Sequence, residues 1–248
     1  MTEIDPSPRP PAATQDQKRR SRGVALFVRD IVVIFVAAII ISVGIKTFLI
    51  RSFYIPSGSM QSTLEENDRI IVNQLVPDAV PLSRGDVVVF KDPGGWLGRN
   101  YVEPPANPVA GAVDWVLTVV GLSATDTNDH LIKRVIGLPG DTVVCCNAVG
   151  QMEVNGIPLD EPYVKLPDGV TKVSVDDFSI TVPEGSLWVM GDNRNNSEDS
   201  RYQRDTPSEG FVPIEDVVGR AFVVTWPVDH WSWLDNYPAT FRGVGDAR

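Results

Sequence analysis

The apolar positions of this chain fall into one long block and a series of short ones, and their lengths separate two kinds of element. Ile31–Ile45 is a run of fifteen residues without a charge, and apolar character continues on both sides from Val24 to Ile50. About 20 residues cross the roughly 30 Å of bilayer hydrocarbon at 1.5 Å per residue. Residues 24–50 are therefore predicted to form a single transmembrane helix. Arg29, Asp30 and Lys46 lie near its ends, where long side chains reach the headgroups. A core helix of this length would show a polar face. A cleaved signal peptide would end in a small-residue motif. The residues that follow, Lys46–Tyr54, offer no Ala-x-Ala, so the segment is expected to stay attached.

From residue 51 onward the pattern changes to short runs rich in Val, Ile and aromatic residues. Residues 69–75, 86–91, 131–137, 142–146, 178–182, 187–190 and 217–226 each read as a strand. Leu138-Pro-Gly-Asp141, Val154-Asn-Gly-Ile157 and Pro183-Glu-Gly185 are turn signals. No long amphipathic helix stands out, so residues 51–248 are predicted to form a mainly β domain. Within it, residues 93–128 form an insertion rich in Gly, Pro and Asn. Its apolar patch Val113–Leu122 is too short to span a bilayer and reads as a surface helix. The aromatic tail from Trp226 to Trp233 fits either packing against the sheet or contact with a membrane interface.

Charge adds an orientation. The chain has 248 residues and a net charge of −10, yet the first fifty residues are net positive. Lys18, Arg19, Arg20 and Arg22 precede the apolar block, which places the N-terminus in the cytoplasm and the acidic body outside. Residues 1–17, with four prolines and no periodicity, read as disordered, and the cytoplasmic tail is drawn as residues 1–23. An acidic body repels phosphate backbones, so no nucleic-acid partner is expected.

Reactive side chains are few. The only histidines, His130 and His230, lie far apart, and the only cysteines, Cys145 and Cys146, are adjacent. That set offers no metal site and no cofactor motif. Neighbouring cysteines rarely bridge, so two strand residues are the expected state, with a vicinal disulfide as the alternative. Pro56-Ser-Gly-Ser-Met60 is a serine-bearing turn shortly after the span. A serine needs a base to become a nucleophile, and with histidine scarce the economical base is a lysine. Lysine is protonated at neutral pH unless burial lowers its pKa. Lys133 lies in Leu131-Ile-Lys-Arg-Val-Ile136, apolar enough to be an interior strand. These local features alone favour the other reading, an edge-strand charge that discourages aggregation.

Four boxes taken together decide between these readings. Pro56-Ser-Gly-Ser-Met-Gln-Ser-Thr-Leu64, Gly85-Asp-Val-Val-Val-Phe90, Ile132–Asp141 and Gly191–Arg201 follow one span in that order. Any one of them is weak, but the ordered set resembles the bacterial type I signal peptidases, from the span to about residue 226. The resemblance implies an antiparallel β-sheet protease domain outside the cell membrane, of the type shared with self-cleaving repressor proteases. It implies Ser59 as nucleophile, Lys133 as general base, and Ser57 with the Ser59 N–H as the oxyanion hole. It further implies Ser197 as the group orienting the lysine, Asp199 and Arg201 as a supporting ion pair, and Phe53, Ile55, Met60 and Ile132 along the substrate groove.

By the same resemblance the substrates are preproteins carrying signal peptides, cut after the small residues of Ala-x-Ala, beside the bilayer and near the secretion translocon. Two departures concern the groove: Ser62 stands where the family often has Pro, and Leu131 where it often has an aromatic residue. The alternative function is a catalytically silent, membrane-tethered β-domain that binds extracytoplasmic partners.

Overall fold

The computed structural model describes residues 13–97 and 129–245 of the chain, with side chains in the N-terminal helix from residue 26 to residue 45. Two units result, Met1–Ile45 and Lys46–Arg248. In the first, helix α1 runs from Ala13 to Phe48. Its window Leu26–Ile45 has a mean hydropathy of 2.7 and no buried residue, and is long and apolar enough to cross a membrane. The helix begins inside the segment read as a disordered tail, so residues 13–23 are helical and only residues 1–12 of that tail lie outside the described residues. The reason is local: between Pro11 and Gly23 the chain is dominated by Gln, Lys, Arg and Ala, all good helix formers with no Gly or Pro among them.

Among the described residues of the second unit every strand pairing is antiparallel. Its strands are β1 (Ile50–Tyr54), β2 (Arg69–Asn73), β3 (Val87–Lys91), β4 (His130–Gly137), β5 (Thr142–Cys145) and β6 (Met152–Val154). There follow β7 (Ile157–Pro158), β8 (Phe178–Thr181), β9 (Ser186–Met190), β10 (Val212–Pro213), β11 (Val217–Trp226) and β12 (Ser232–Trp233). The large sheet has the order β1-β2-β11-β3-β4-β9-β10, with β12 on β11, and the small sheet the order β7-β6-β5-β8. All seven strands predicted from the sequence are present to within two residues at either end. Those it missed are β1 and four pieces of two or three residues. β1 was absorbed into the end of the apolar span, and runs that short carry no period to detect.

Three apolar clusters hold the unit together. Ile136, Trp188 and Met190 of the large sheet pack against Val143, Met152 and Phe178 of the small one. On one face of the large sheet, Val87, Val89, Ile132, Phe53 and Ile70 enclose Met60 and Leu64 from the serine-bearing turn. Val88, Phe90, Val135, Val189 and Trp96 fill the other face. β3 contributes to both, Val87 and Val89 on one side and Val88 and Phe90 on the other, because successive strand residues point to opposite faces. Four consecutive β-branched or aromatic residues buried on both sides explain why its run is continuous rather than alternating.

One sequence expectation changes here. Cys145 and Cys146 form a disulfide with each other, across a cis peptide, rather than standing as free strand residues. The tail beyond Trp226 does add strand β12 to the sheet, and Trp233 stacks on Phe222. Its indoles nevertheless face outward, with Trp226, Trp231 and Trp233 more than half exposed. Of the insertion, residues 98–128 lie outside the described residues, including the helix expected at 113–122. Trp96, before them, is buried and donates from Nε1 to Ser208 Oγ at 3.0 Å.

Candidate active site

Ser59 sits in a single 3₁₀ turn, Gly58–Met60, anchored by the burial of Met60 and Leu64 beneath it. Lys133 lies on β4 opposite Val88, in the middle of the large sheet. Lys133 Nζ donates to Ser59 Oγ at 2.9 Å and to the Ile132 carbonyl at 2.9 Å. Both side chains are buried, at 4% exposure for Lys133 and 8% for Ser59. Burial disfavours the ammonium and lowers the Lys133 pKa to about 8, against an opposing pull from Asp199, Asp192 and Glu198. At pH 7 about a tenth of such an amine is neutral, and a neutral amine in this contact can take the Ser59 proton. The arrangement is therefore competent for attack by Ser59 on an acyl carbon.

Ser57 Oγ is 3.3 Å from Ser59 Oγ, and its residue is exposed at the mouth of the site. A hydroxyl there and the Ser59 N–H are within one turn of each other, as two donors to a single oxyanion must be. Asp199 and Arg201 form the expected ion pair, doubly bonded at 2.8 Å and 2.8 Å with both side chains inaccessible. Asp199 Oδ2 accepts from the Gly191 N–H at 3.0 Å, and Arg201 donates to the Arg194 carbonyl at 2.9 Å. The Ser197 hydroxyl is buried without a hydrogen-bond partner among the described residues, and the lysine bonds Ser59 and the Ile132 carbonyl. Ser197 packs on Gly191, where a Cβ would come within 2.2 Å of its Oγ.

Three further groups matter that the sequence reading passed over. Asn193 donates from its backbone N–H to the Ser59 carbonyl at 3.1 Å and from Nδ2 to the Gly58 carbonyl at 2.9 Å, so it grips the nucleophile turn. Arg134 and Asp192 are paired through two bonds of 2.8 Å and 2.7 Å, both wholly buried. Arg134 also donates to the Gly85 carbonyl at 2.6 Å and lies over the Tyr163 ring at 4.1 Å. Burial alone would lower its pKa, but the Asp192 carboxylate holds it above its ordinary value. Thr63, four residues past Ser59, donates to Asp192. The pair thus ties the lysine strand, the serine turn and the 191–201 loop together. An arginine inside an apolar strand was the available signal, since a buried charge demands a partner.

The expected groove residues split. Phe53, Ile55 and Ile132 line a small groove with Pro56, Val89, His130 and Leu131. Met60 is fully buried in the cluster below it and lines no part of that groove. Beside it, β4 pairs with β3 from His130 onward but with β9 only from Arg134. Residues 130–133 therefore present one strand edge without a strand partner among the described residues.

The site thus sets a serine hydroxyl on a buried lysine amine within a mainly β domain. A family model described as signal peptidase, peptidase S26, matches residues 28–226, and the chain belongs to that family. Among its relatives, signal peptidase I of Mycobacterium tuberculosis is 37% identical over 239 residues, covering 89% of this chain and 79% of the relative. A probable signal peptidase I-2 of Synechocystis is 38% identical over 193 residues, covering 78% and 71%. A crystal structure of a signal peptidase I from Enterococcus faecalis, 25% identical, aligns with 56% of this chain and 95% of its own at a TM-score of 0.36. A TM-score that low says nothing more about this chain.

Proposed function

We propose that this chain is a membrane-anchored endopeptidase that cleaves signal peptides from exported preproteins, with Ser59 as nucleophile and Lys133 as general base. The observation that carries the reading is the 2.9 Å contact between Lys133 Nζ and Ser59 Oγ in a site where both are buried. Lys133 takes the hydroxyl proton as Ser59 attacks the carbonyl, and the proton passes to the leaving amine. The oxyanion is met by the Ser57 hydroxyl and the Ser59 N–H. Water activated by the same amine then hydrolyses the resulting acyl-enzyme ester, which frees the signal peptide and restores the Ser59 hydroxyl. Asn193 and the Asp199–Arg201 pair position the turn and loop around that contact. Ser197, buried beside Gly191, is placed to shape the wall of the site.

The peptide binds extended against the free edge at residues 130–133, since main-chain pairing along an open edge supplies affinity without regard to side chains. Phe53, Ile55 and Ile132 then meet its small residues, which suits Ala-x-Ala, while Met60 supports the floor. Helix α1 crosses the bilayer with its basic flank in the cytoplasm. The body lies outside, close to the lipid surface where preproteins leave the translocon.

The test is cleavage of a purified preprotein by the detergent-solubilised full chain beside Ser59→Ala and Lys133→Ala. Processing by the parent alone supports the reading. Equal processing by all three removes it.

A further inference from the structure

Cys145 closes strand β5, opposite Met152 of β6 and Phe178 of β8. Continued by one residue, the antiparallel register with β8 carries Cys146 to Asp177. A sulfur from each cysteine and a carboxylate oxygen of Asp177 lie within 4.8 Å of one another. Cys145 is buried in the apolar cluster that joins the two sheets, Cys146 is half-buried against it, and Asp177 is exposed. Two soft donors and one hard one thus meet at the rim of the small sheet, on residues that the catalytic site does not use. No spacing rule finds this group, since Asp177 lies far along the chain and only the strand pairing brings it to the cysteines.

The disulfide between Cys145 and Cys146 does little for the fold. A disulfide stabilises chiefly by closing a loop of the unfolded chain, and neighbouring residues close almost none. It also joins no second segment to β5. An ion held by all three donors ties the end of β5 to the start of β8. Tetrahedral zinc, with bonds of about 2.3 Å to sulfur and 2.0–2.2 Å to carboxylate oxygen, sets its ligand atoms about 3.5–3.8 Å apart. Rotation of the three side chains spans the difference once the sulfurs part. Asp177 is paired with Lys172 at 3.0 Å and 3.2 Å, with the two side chains 48% and 65% exposed for Lys172 and Asp177. An exposed pair of this kind contributes little, so the carboxylate is free to turn toward a metal.

We propose that Cys145, Cys146 and Asp177 form a redox-gated site for a thiophilic divalent cation, for which Zn²⁺ is the fitting ion. A thiol reductant RSH opens it: two RSH deliver two electrons and two protons to the disulfide, leaving two cysteine thiols and RSSR. Zn²⁺ then displaces one proton from each thiol, and water on the exposed side completes four ligands. Two thiolates select zinc over magnesium or calcium, which take oxygen donors. Oxidation closes the site, because sulfurs bonded to each other are no longer thiolates. The inference stands apart from the signal-peptide reading.

The experiment titrates the detergent-solubilised full chain with Co²⁺, a spectroscopic stand-in for Zn²⁺, before and after treatment with a water-soluble phosphine. The phosphine is oxidised to its oxide with oxygen from water and leaves both thiols. Thiolate-to-cobalt absorption is expected in the reduced chain, saturating at one ion per chain and displaced by Zn²⁺. The untreated chain and reduced Cys146→Ser should lack it. Asp177→Asn, an exposed change that circular dichroism should show to leave the fold intact, is expected to weaken Zn²⁺ affinity about tenfold or more. That is at least the cost of losing a group that supports a metal ligand. No thiolate absorption in the reduced chain, equal absorption without phosphine, or unchanged affinity in Asp177→Asn overturns the proposal.

Discussion

Asn193 holds Ser59 by the backbone, its N–H donating to the Ser59 carbonyl at 3.1 Å while its side chain secures Gly58. The nucleophile turn therefore hangs from the loop after β9 as well as resting on Met60. Asn193→Ala removes the Nδ2 bond and leaves the backbone bond. We expect kcat to fall on the order of tenfold with KM little changed, because a misplaced nucleophile slows chemistry more than binding. Steady-state kinetics on one preprotein, with circular dichroism as the folding control, checks this. An equal rise in KM alone would speak for a binding role.

Gly191 leaves no room for a side chain. A Cβ there would lie 2.2 Å from Ser197 Oγ and 2.4 Å from the Ser59 carbonyl. The second is backbone and cannot step aside cheaply, so Gly191→Ala should displace the turn and lose at least a hundredfold in kcat. Wild-type activity in that variant would show the turn to be more yielding than its hydrogen bonds indicate.

The Arg134–Asp192 pair is buried on both sides. Removing one partner leaves an uncompensated charge, worth roughly 3–5 kcal/mol. Arg134→Met and Asp192→Asn should each lower the Tm by on the order of 10 °C in thermal unfolding. A change within a degree or two would mean that water reaches the pair.

Lys133 presents the opposite case. Its pKa is depressed to about 8 by burial, so below that pH the fold must keep an ammonium in a dry site. The unfolded chain binds that proton more tightly, and stability contributed by this group rises as pH climbs from about 8 toward the unfolded value near 10.4. The handicap at pH 7 is roughly 3 kcal/mol. Lys133→Met is expected to melt higher than the parent at pH 7, with the gap closing above pH 10. A lower Tm at pH 7 would mean that the amine stabilises rather than burdens the fold.

How much of this was legible in the sequence varies with the kind of interaction. The strands around Val87–Phe90 and Val217–Trp226 declared themselves through β-branched runs, and Ser59 and Lys133 through ordered boxes. β1 was hidden because Ile50 continues the apolar span and only the turn residue Leu49 separates helix from strand. Asn193 and Gly191 act through backbone contacts, which side-chain chemistry does not advertise. The contact of Lys133 with the Ile132 carbonyl is likewise a backbone contact that no motif announces. The disulfide of Cys145 and Cys146 was the alternative rather than the expected state, because neighbouring cysteines rarely bridge. Helix α1 reached back to Ala13 because charged residues propagate a helix as well as apolar ones do.

The central claim is that the Lys133 amine serves as base at a pKa near 8. It is tested most directly by kcat/KM between pH 5 and pH 10, with Ser59→Ala subtracted as background. This quantity reports the free enzyme's titrating groups. A rise of tenfold per pH unit that levels off near pH 8, the value burial gives Lys133, is the predicted result. A rate flat from pH 5 to pH 9, or one that levels off near 6.5, would contradict the account.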